Sequence, residues 1–148
     1  MDRSIKELQK PFLSPPEIEA SVEFMGLDTQ LIEDAAYFVV EEGGLIIGCG
    51  GWSRRATLFG GDHTVGRDAA FLDPKKDAAR VRAMYTDPDH ARKSVGRAIL
   101  DACENAAREA GFRRAELAAT LAGVPLYSAC GYAPIEEFFA ESSKGVKV

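Results

Sequence analysis

The sequence predicts an α+β fold: a mixed central β-sheet with helices on both faces. Two observations carry this. A pair of β-rich segments flanks Gly43-Gly44, a two-residue hairpin signal. A strand–helix–strand unit follows later, over 79–86, 94–110 and 113–119. The 148 residues fit one domain spanning 1–148, large enough to bury about two thirds of its unfolded surface.

The elements follow in order. Residues 3–10 read as the tail of a helix, interrupted by Pro11. Ser14-Pro15-Pro16-Glu17 reads as a new helix start, with Ser14 as cap, proline at the first helical position and acid in the first turn. Ile18, Val22 and Met25 give this helix an apolar stripe, and Gly26 ends it. Residues 36–42 and 45–53 are the hairpin strands. Gly48, Gly50 and Gly51 in the return strand mark a bulge or a close approach to the backbone. Residues 56–78 form the longest loop.

Residues 79–86 (ARVRAMYT) alternate as a strand. Val81, Ala83 and Tyr85 face one way, and Arg82, Met84 and Thr86 the other. Asp87-Pro88 stops it. Over 94–110, Val95, Ile99, Ala102, Cys103, Ala106 and Ala110 recur at helical spacing. Arg97/Asp101 and Glu104/Arg108 are i,i+4 pairs on the polar side, and Gly111 is the stop. A strand at 113–119, a short helix at about 122–130, a strand at 132–138 and the start of another at 145–148 complete the chain.

Composition narrows the function. The net charge of −5 and a pI of about 5.1 oppose a broad phosphate-binding face, so nucleic acid is not an expected partner. An acidic surface mildly favours cationic ligands. No apolar run approaches the ~20 residues of a membrane span, and Met1–Lys10 has no signal-peptide core. The expected location is the cytoplasm, without a membrane partner. Cys49, Cys103 and Cys130 are odd in number and widely spaced, which fits neither disulfides nor a metal site. They read as buried, inert thiols.

The chemistry concentrates in P-D-H-A-R-K-S-V-G-R-A-I-L, residues 88–100. A strand ends, a polar turn follows and a strong helix begins. Its first turn exposes N–H groups without partners, which with the helix dipole form an anion site. Arg92, Lys93 and Arg97 add positive charge. Neither a Walker P-loop nor G-x-G-x-x-G is present. The same residues also fit a well-capped helix with a solvated basic end.

This segment resembles the acetyl-CoA-binding motif of the GNAT family of N-acetyltransferases. The family pattern is Gln or Arg, two residues, Gly, one residue, then Gly or Ala. Ala91, Ser94 and Gly96 hold those positions, and Arg92 stands beside the first. A second resemblance covers residues 119–132, where Leu126-Tyr127 and Gly131-Tyr132 match the family's later motif. Thr120 falls where many members have an asparagine that contacts the cofactor. Gly48-Cys49-Gly50-Gly51-Trp52 is also similar to the family's preceding strand.

The resemblance implies an acyl-CoA N-acyltransferase-like fold without its first edge strand. The pyrophosphate of acetyl-CoA would lie on the backbone of Arg92, Lys93, Ser94, Val95, Gly96 and Arg97. The pantetheine arm would follow Met84, Tyr85 and Thr86, facing 116–120 and Thr120. An N–H near Tyr85 would polarise the thioester, and Tyr127 would protonate the leaving thiolate. The implied function is an acyltransferase that moves an acetyl group from acetyl-CoA to a primary amine of a small acceptor by direct attack. Exposed sheet edges make a homodimer an expectation.

Two other readings share these residues: an acyl-CoA-binding module without turnover, and an interaction domain whose basic helix end meets an acidic partner. Tyr127 alone also reads as a core aromatic beside a helix cap. The base is open among Glu116, Glu41, His90 and an ordered water. His63 reads as a loop histidine, ligand or base. Trp52, Arg54 and Arg55 either pack or line an acceptor pocket.

Overall fold

The computed structural model describes residues 1–148. The helices are α1 (Asp2–Leu8), α2 (Pro15–Ser21), α3 (Thr29–Glu33), α4 (Val95–Glu109) and α5 (Val124–Ala129). The strands are β1 (Tyr37–Glu42), β2 (Leu45–Ser53), β3 (Ala79–Thr86) and β4 (Ala115–Glu116). The sheet order is β1-β2-β3-β4. The first two pairings are antiparallel and the last parallel, so the sheet is mixed.

Local signals explain much of this. Glu17 accepts both the N–H and the Oγ–H of Ser14, at 2.7 and 2.6 Å, which fastens the start of α2. Gly43 and Gly44 both have positive φ, +57° and +80°, as a tight hairpin turn requires. Gly111 closes α4. Its N–H goes to Arg108 and that of Phe112 to Ala107, satisfying carbonyls that the helix itself cannot.

The core lies between α4 and the sheet. Ile99, Leu100 and Cys103 are fully buried there with Val81 and Trp52. The glycines of β2 permit this contact. A Cβ on Gly48 would stand 2.4 Å from Val95 Cγ1, and one on Gly50 2.2 Å from Met84 Sδ and 2.7 Å from Ile99 Cγ2. The expected close approach is therefore α4 itself. The other face carries α1 and α3. Ile5 packs with Cys49 and Tyr85, and Leu31 lies 2.9 Å from where a Cβ of Gly51 would stand.

Five expectations are corrected. The alternation of β3 does not persist, because the pairing with β2 shifts register between Cys49/Tyr85 and Gly51/Arg82. Ala83 and Met84 together oppose Gly50, a bulge, with Ala83 at φ +52°. Val81 and Met84 thus share the α4 face, while Arg82 and Tyr85 lie on the other. The strand at 113–119 shortens to Ala115–Glu116. Residues 132–138 pair with nothing; Pro134 has no N–H to donate. Residues 145–148 are the return arm of a small tail hairpin, Ala140 with Val148 and Ser142 with Val146. That hairpin is tied to Glu23 through Ser143, not to the sheet. Neither i,i+4 pair on α4 closes; Arg108 bonds Asn105 instead.

Candidate active site

The turn before α4 is built to expose backbone donors. A short 3-10 turn covers Pro88–His90. Arg92 and Ser94 then adopt left-handed φ of +60° and +66°, and α4 starts at Val95. The first helical bond runs from the N–H of Ala98 to the carbonyl of Ser94, at 3.0 Å. The six N–H groups from Arg92 to Arg97 donate to nothing in the protein. Arg92, Lys93 and Arg97 are exposed, and none pairs with a carboxylate. Free donors, a 15-residue helix behind them and three cations give this turn the physics of an anion cradle.

Ser94 stands where the resemblance expects glycine, and its φ supplies the reason for that expectation. A left-handed φ carries no steric cost for glycine but about 1–2 kcal/mol for a residue with a Cβ. The turn keeps the conformation despite the serine.

Beside this turn the sheet opens. β3 and β4 pair only through Ala79–Ala115 and Arg80–Glu116. Beyond that, Met84, Tyr85 and Thr86 have β2 on one side and no strand on the other. The side chains of Met84 and Tyr85 do not face this gap: Met84 lies under α4. Tyr85 is buried on the opposite face, where its hydroxyl accepts the N–H of Gly26 at 2.7 Å and fastens that loop to β3. What β3 can offer the gap is backbone. Thr86 Oγ1 lies 3.8 Å from where a Cβ of Gly96 would stand, joining the strand end to the turn.

Tyr127 is carried by α5, which reaches the turn through the preceding residue. Its neighbour Leu126 packs on Gly96. Tyr127 is half-buried against the core, with its ring 6.0 Å from that of Tyr132. Burial pushes its pKa well above the ordinary tyrosine value, so it carries its proton at any physiological pH. Its hydroxyl makes no hydrogen bond within the protein. Thr120 is exposed, and its carbonyl accepts the N–H groups of Gly123 and Val124 at 2.9 and 3.2 Å, opening α5.

Glu116, His90 and His63 are engaged elsewhere, and Glu41 stands on the far edge of the sheet. Glu116 pairs with Arg80. His90 Nδ1 lies 2.8 Å from Asp87 and its Nε2 3.2 Å from Glu42. His63 Nε2 contacts the carbonyl of Val22 at 2.8 Å, and Glu41 is exposed on the edge strand β1. Trp52 is a core residue with its ring 6.1 Å from Phe112. Arg54 lies over Trp52 and Arg55 forks onto Asp34 at 2.7 and 2.8 Å. None of the three lines a pocket next to the gap. An open concavity of about 610 Å³ beside Phe112 and Tyr132 lies toward the opposite end of α4.

One cluster has no counterpart in the sequence reading. Asp28 and Arg82 are both fully buried, on the sheet face away from α4. Arg67 reaches Asp28 from the long loop at 2.8 Å. Period-two alternation gave Arg82 a polar face and no reason to expect burial. The lone aspartate between Leu27 and Thr29 gave no signal either.

Comparison with known proteins places this arrangement. The family described as Acetyltransferase (GNAT) family matches residues 3–132. A GCN5-related N-acetyltransferase from Ralstonia eutropha is 21% identical, with a TM-score of 0.58 over 92% of this chain and 85% of that one. A predicted acetyltransferase from Clostridium acetobutylicum, crystallised with acetyl-CoA, is 18% identical (TM-score 0.55, 93% and 84% covered). Glucosamine-6-phosphate N-acetyltransferase from Arabidopsis thaliana is 14% identical (TM-score 0.57, 94% and 88% covered). These structural likenesses share the fold. No curated protein sequence matches the chain.

Proposed function

The chain belongs to the GNAT family of acetyltransferases, and we propose that it transfers the acetyl group of acetyl-CoA to a primary amine of a small acceptor. The observation that carries this reading is the run of six undonated N–H groups from Arg92 to Arg97. They fit a pyrophosphate, with Arg92, Lys93 and Arg97 around it. The pantetheine arm then follows the free side of β3 at Met84–Thr86, past Thr120. The acetyl-CoA bound by the Clostridium acetobutylicum relative supports the choice of cosubstrate.

In the reaction the neutral amine attacks the thioester carbonyl. The new N–C bond forms, the C–S bond breaks, and the thiolate takes its proton from the Tyr127 hydroxyl. A backbone N–H near Tyr85 stabilises the charge on the carbonyl oxygen. Since Glu116 and His90 are held by Arg80 and Asp87, the proton lost by the amine goes to water, and water returns a proton to Tyr127. A homodimer joined through a bare sheet edge is part of this reading, since β1 and β4 each lack an outer neighbour. No helix is long and apolar enough to cross a membrane.

One observation favours a second reading, a module that binds acyl-CoA without turnover: no carboxylate or imidazole stands free at the gap. The deciding experiment is melting with and without acetyl-CoA, followed by thiol release with amines. At about a hundred times the dissociation constant, binding adds about 2.7 kcal/mol. A shift with thiol release supports the enzyme, and a shift without it the module. No shift overturns both.

A further inference from the structure

Arg82 is the one buried cation of the protein, with its side chain 1% exposed. Its Nη2 stands 3.1 Å from Asp28 Oδ2, yet none of Nε, Nη1 and Nη2 makes a hydrogen bond, and neither does Asp28 Oδ2. A buried guanidinium normally fills its fork of donors, because each unmade bond there leaves the full desolvation penalty in place.

The carboxylates around it leave its donors unfilled. Asp34 is consumed by both nitrogens of Arg55. Asp28 is shared, because Arg67 holds its Oδ1 at 2.8 Å. Asp62 approaches only Arg67, at 3.7 Å, and already accepts from Thr29. Arg67 thus leans on Asp28 and Asp62, Arg82 has only a share of Asp28, and its donors stay unused. An unfilled guanidinium fork is the donor set of a carboxylate or phosphate receptor.

Its position along β3 fits this. Arg82 directly precedes the bulge at Ala83–Met84 and lies on the face away from α4. Tyr85 opposes Cys49 and Arg82 opposes Gly51, two positions apart on β2, or about 7 Å at ~3.3 Å per residue. The cover is irregular chain: the loop carrying Asp28, and the long loop, whose hold on Asp28 is Arg67.

We infer that Arg82 binds an anionic group carried by the acceptor a few bonds from its amine, a carboxylate or a phosphate, and that Asp28 occupies the guanidinium until the acceptor arrives. This rests on the acetyl-transfer reading for the identity of the ligand, though not for the existence of the anion site. The acceptor is then a compact amine of zwitterionic character, which sharpens the mild preference for cations read from net charge.

The test is an NMR titration of ¹⁵N-labelled protein, following the Nε–H signal that Arg82→Lys removes. Two matched pairs are compared, with and without acetyl-CoA: glycine against glycinamide, and O-phosphoethanolamine against ethanolamine. The expected result is a saturable shift from an anionic member, at least about tenfold tighter than its neutral partner. Response to glycine alone names a carboxylate, and to O-phosphoethanolamine alone a phosphate. Asp28→Asn is expected to tighten the anionic ligand, since it removes the competing carboxylate. A saturable shift in neither pair, or an equal shift from the neutral amines, overturns the inference. Weaker binding in a folded Asp28→Asn protein does so too. Melting of the same samples with acetyl-CoA reads the cosubstrate separately, so failure there leaves the Arg82 result standing.

Discussion

Leu126 packs directly onto the backbone of Gly96, so that a Cβ at position 96 would stand 2.7 Å from Leu126 Cδ2. This contact joins the turn at Arg92–Arg97 to the helix that carries Tyr127. It makes the spacing between the anion cradle and the tyrosine depend on one missing methyl group. Gly96→Ala is therefore expected to push α5 outward and to cost about 1–3 kcal/mol. Gly96→Glu adds a carboxylate beside the cradle and is expected to abolish acetyl-CoA binding. Calorimetric titration of both variants separates the steric from the electrostatic part. Unchanged affinity in both would place the cosubstrate elsewhere.

Ser94→Gly is expected to stabilise the protein. The left-handed φ of +66° holds a serine at a cost of about 1–2 kcal/mol, and glycine removes it while adding about 0.5–1 kcal/mol of unfolded-state entropy. The net gain is about 0.5–1 kcal/mol, readable as a higher urea midpoint. Acetyl-CoA affinity should be kept, since the N–H at 94 remains. A lower midpoint would show that the serine hydroxyl contributes more than its backbone costs.

Tyr127→Phe removes a hydroxyl with no partner in the protein, so stability should change little. Turnover is expected to fall by about a hundredfold, within the usual range for a lost proton donor. The dissociation constant for acetyl-CoA should be nearly unchanged. Lost affinity with unaltered turnover would make Tyr127 a binding residue rather than an acid.

Alkaline pH should unfold the protein. Burial is the leading cause that raises the pKa of all four tyrosines, Tyr37, Tyr85, Tyr127 and Tyr132, and it pushes the Cys103 thiol up to about 12. The folded state holds these protons more tightly than the unfolded state. Their contribution is complete below the unfolded values of 9.0 for the thiol and 10.0 for the phenols. It is lost as pH rises through the folded values. Denaturant midpoints should therefore stay level near neutrality and fall steadily above the thiol's unfolded value. A midpoint that holds level into strong alkali would show these groups to be solvated.

Gly50→Ala tests the packing of α4. The new methyl meets Met84 Sδ at 2.2 Å and Ile99 Cγ2 at 2.7 Å, so the Met84 side chain must swing away and Ile99 of α4 must give. A loss of about 1–3 kcal/mol is expected, together with weaker acetyl-CoA binding, because β3 and the start of α4 frame the same site. A midpoint equal to that of the unaltered protein would show that the core yields there without cost.

The sequence by itself determined whatever rests on local chemistry. The capped start at Ser14, the Gly43-Gly44 turn, the apolar stripe of α4 with its Gly111 stop, and the donor-rich turn at 92–97 each follow from residues a few positions apart. Tertiary structure alone decided matters of distant pairing. Residues 132–138 have β propensity but no ladder to join, and β4 stops after two residues for want of a further partner. One extra residue at Ala83–Met84 reverses the faces of β3, which alternation cannot register. Arg82 and Asp28, fifty-four positions apart, show their burial only once the sheet is covered. A backbone conformation is set by near neighbours, whereas the environment of a charge is set by whatever the folded chain brings against it.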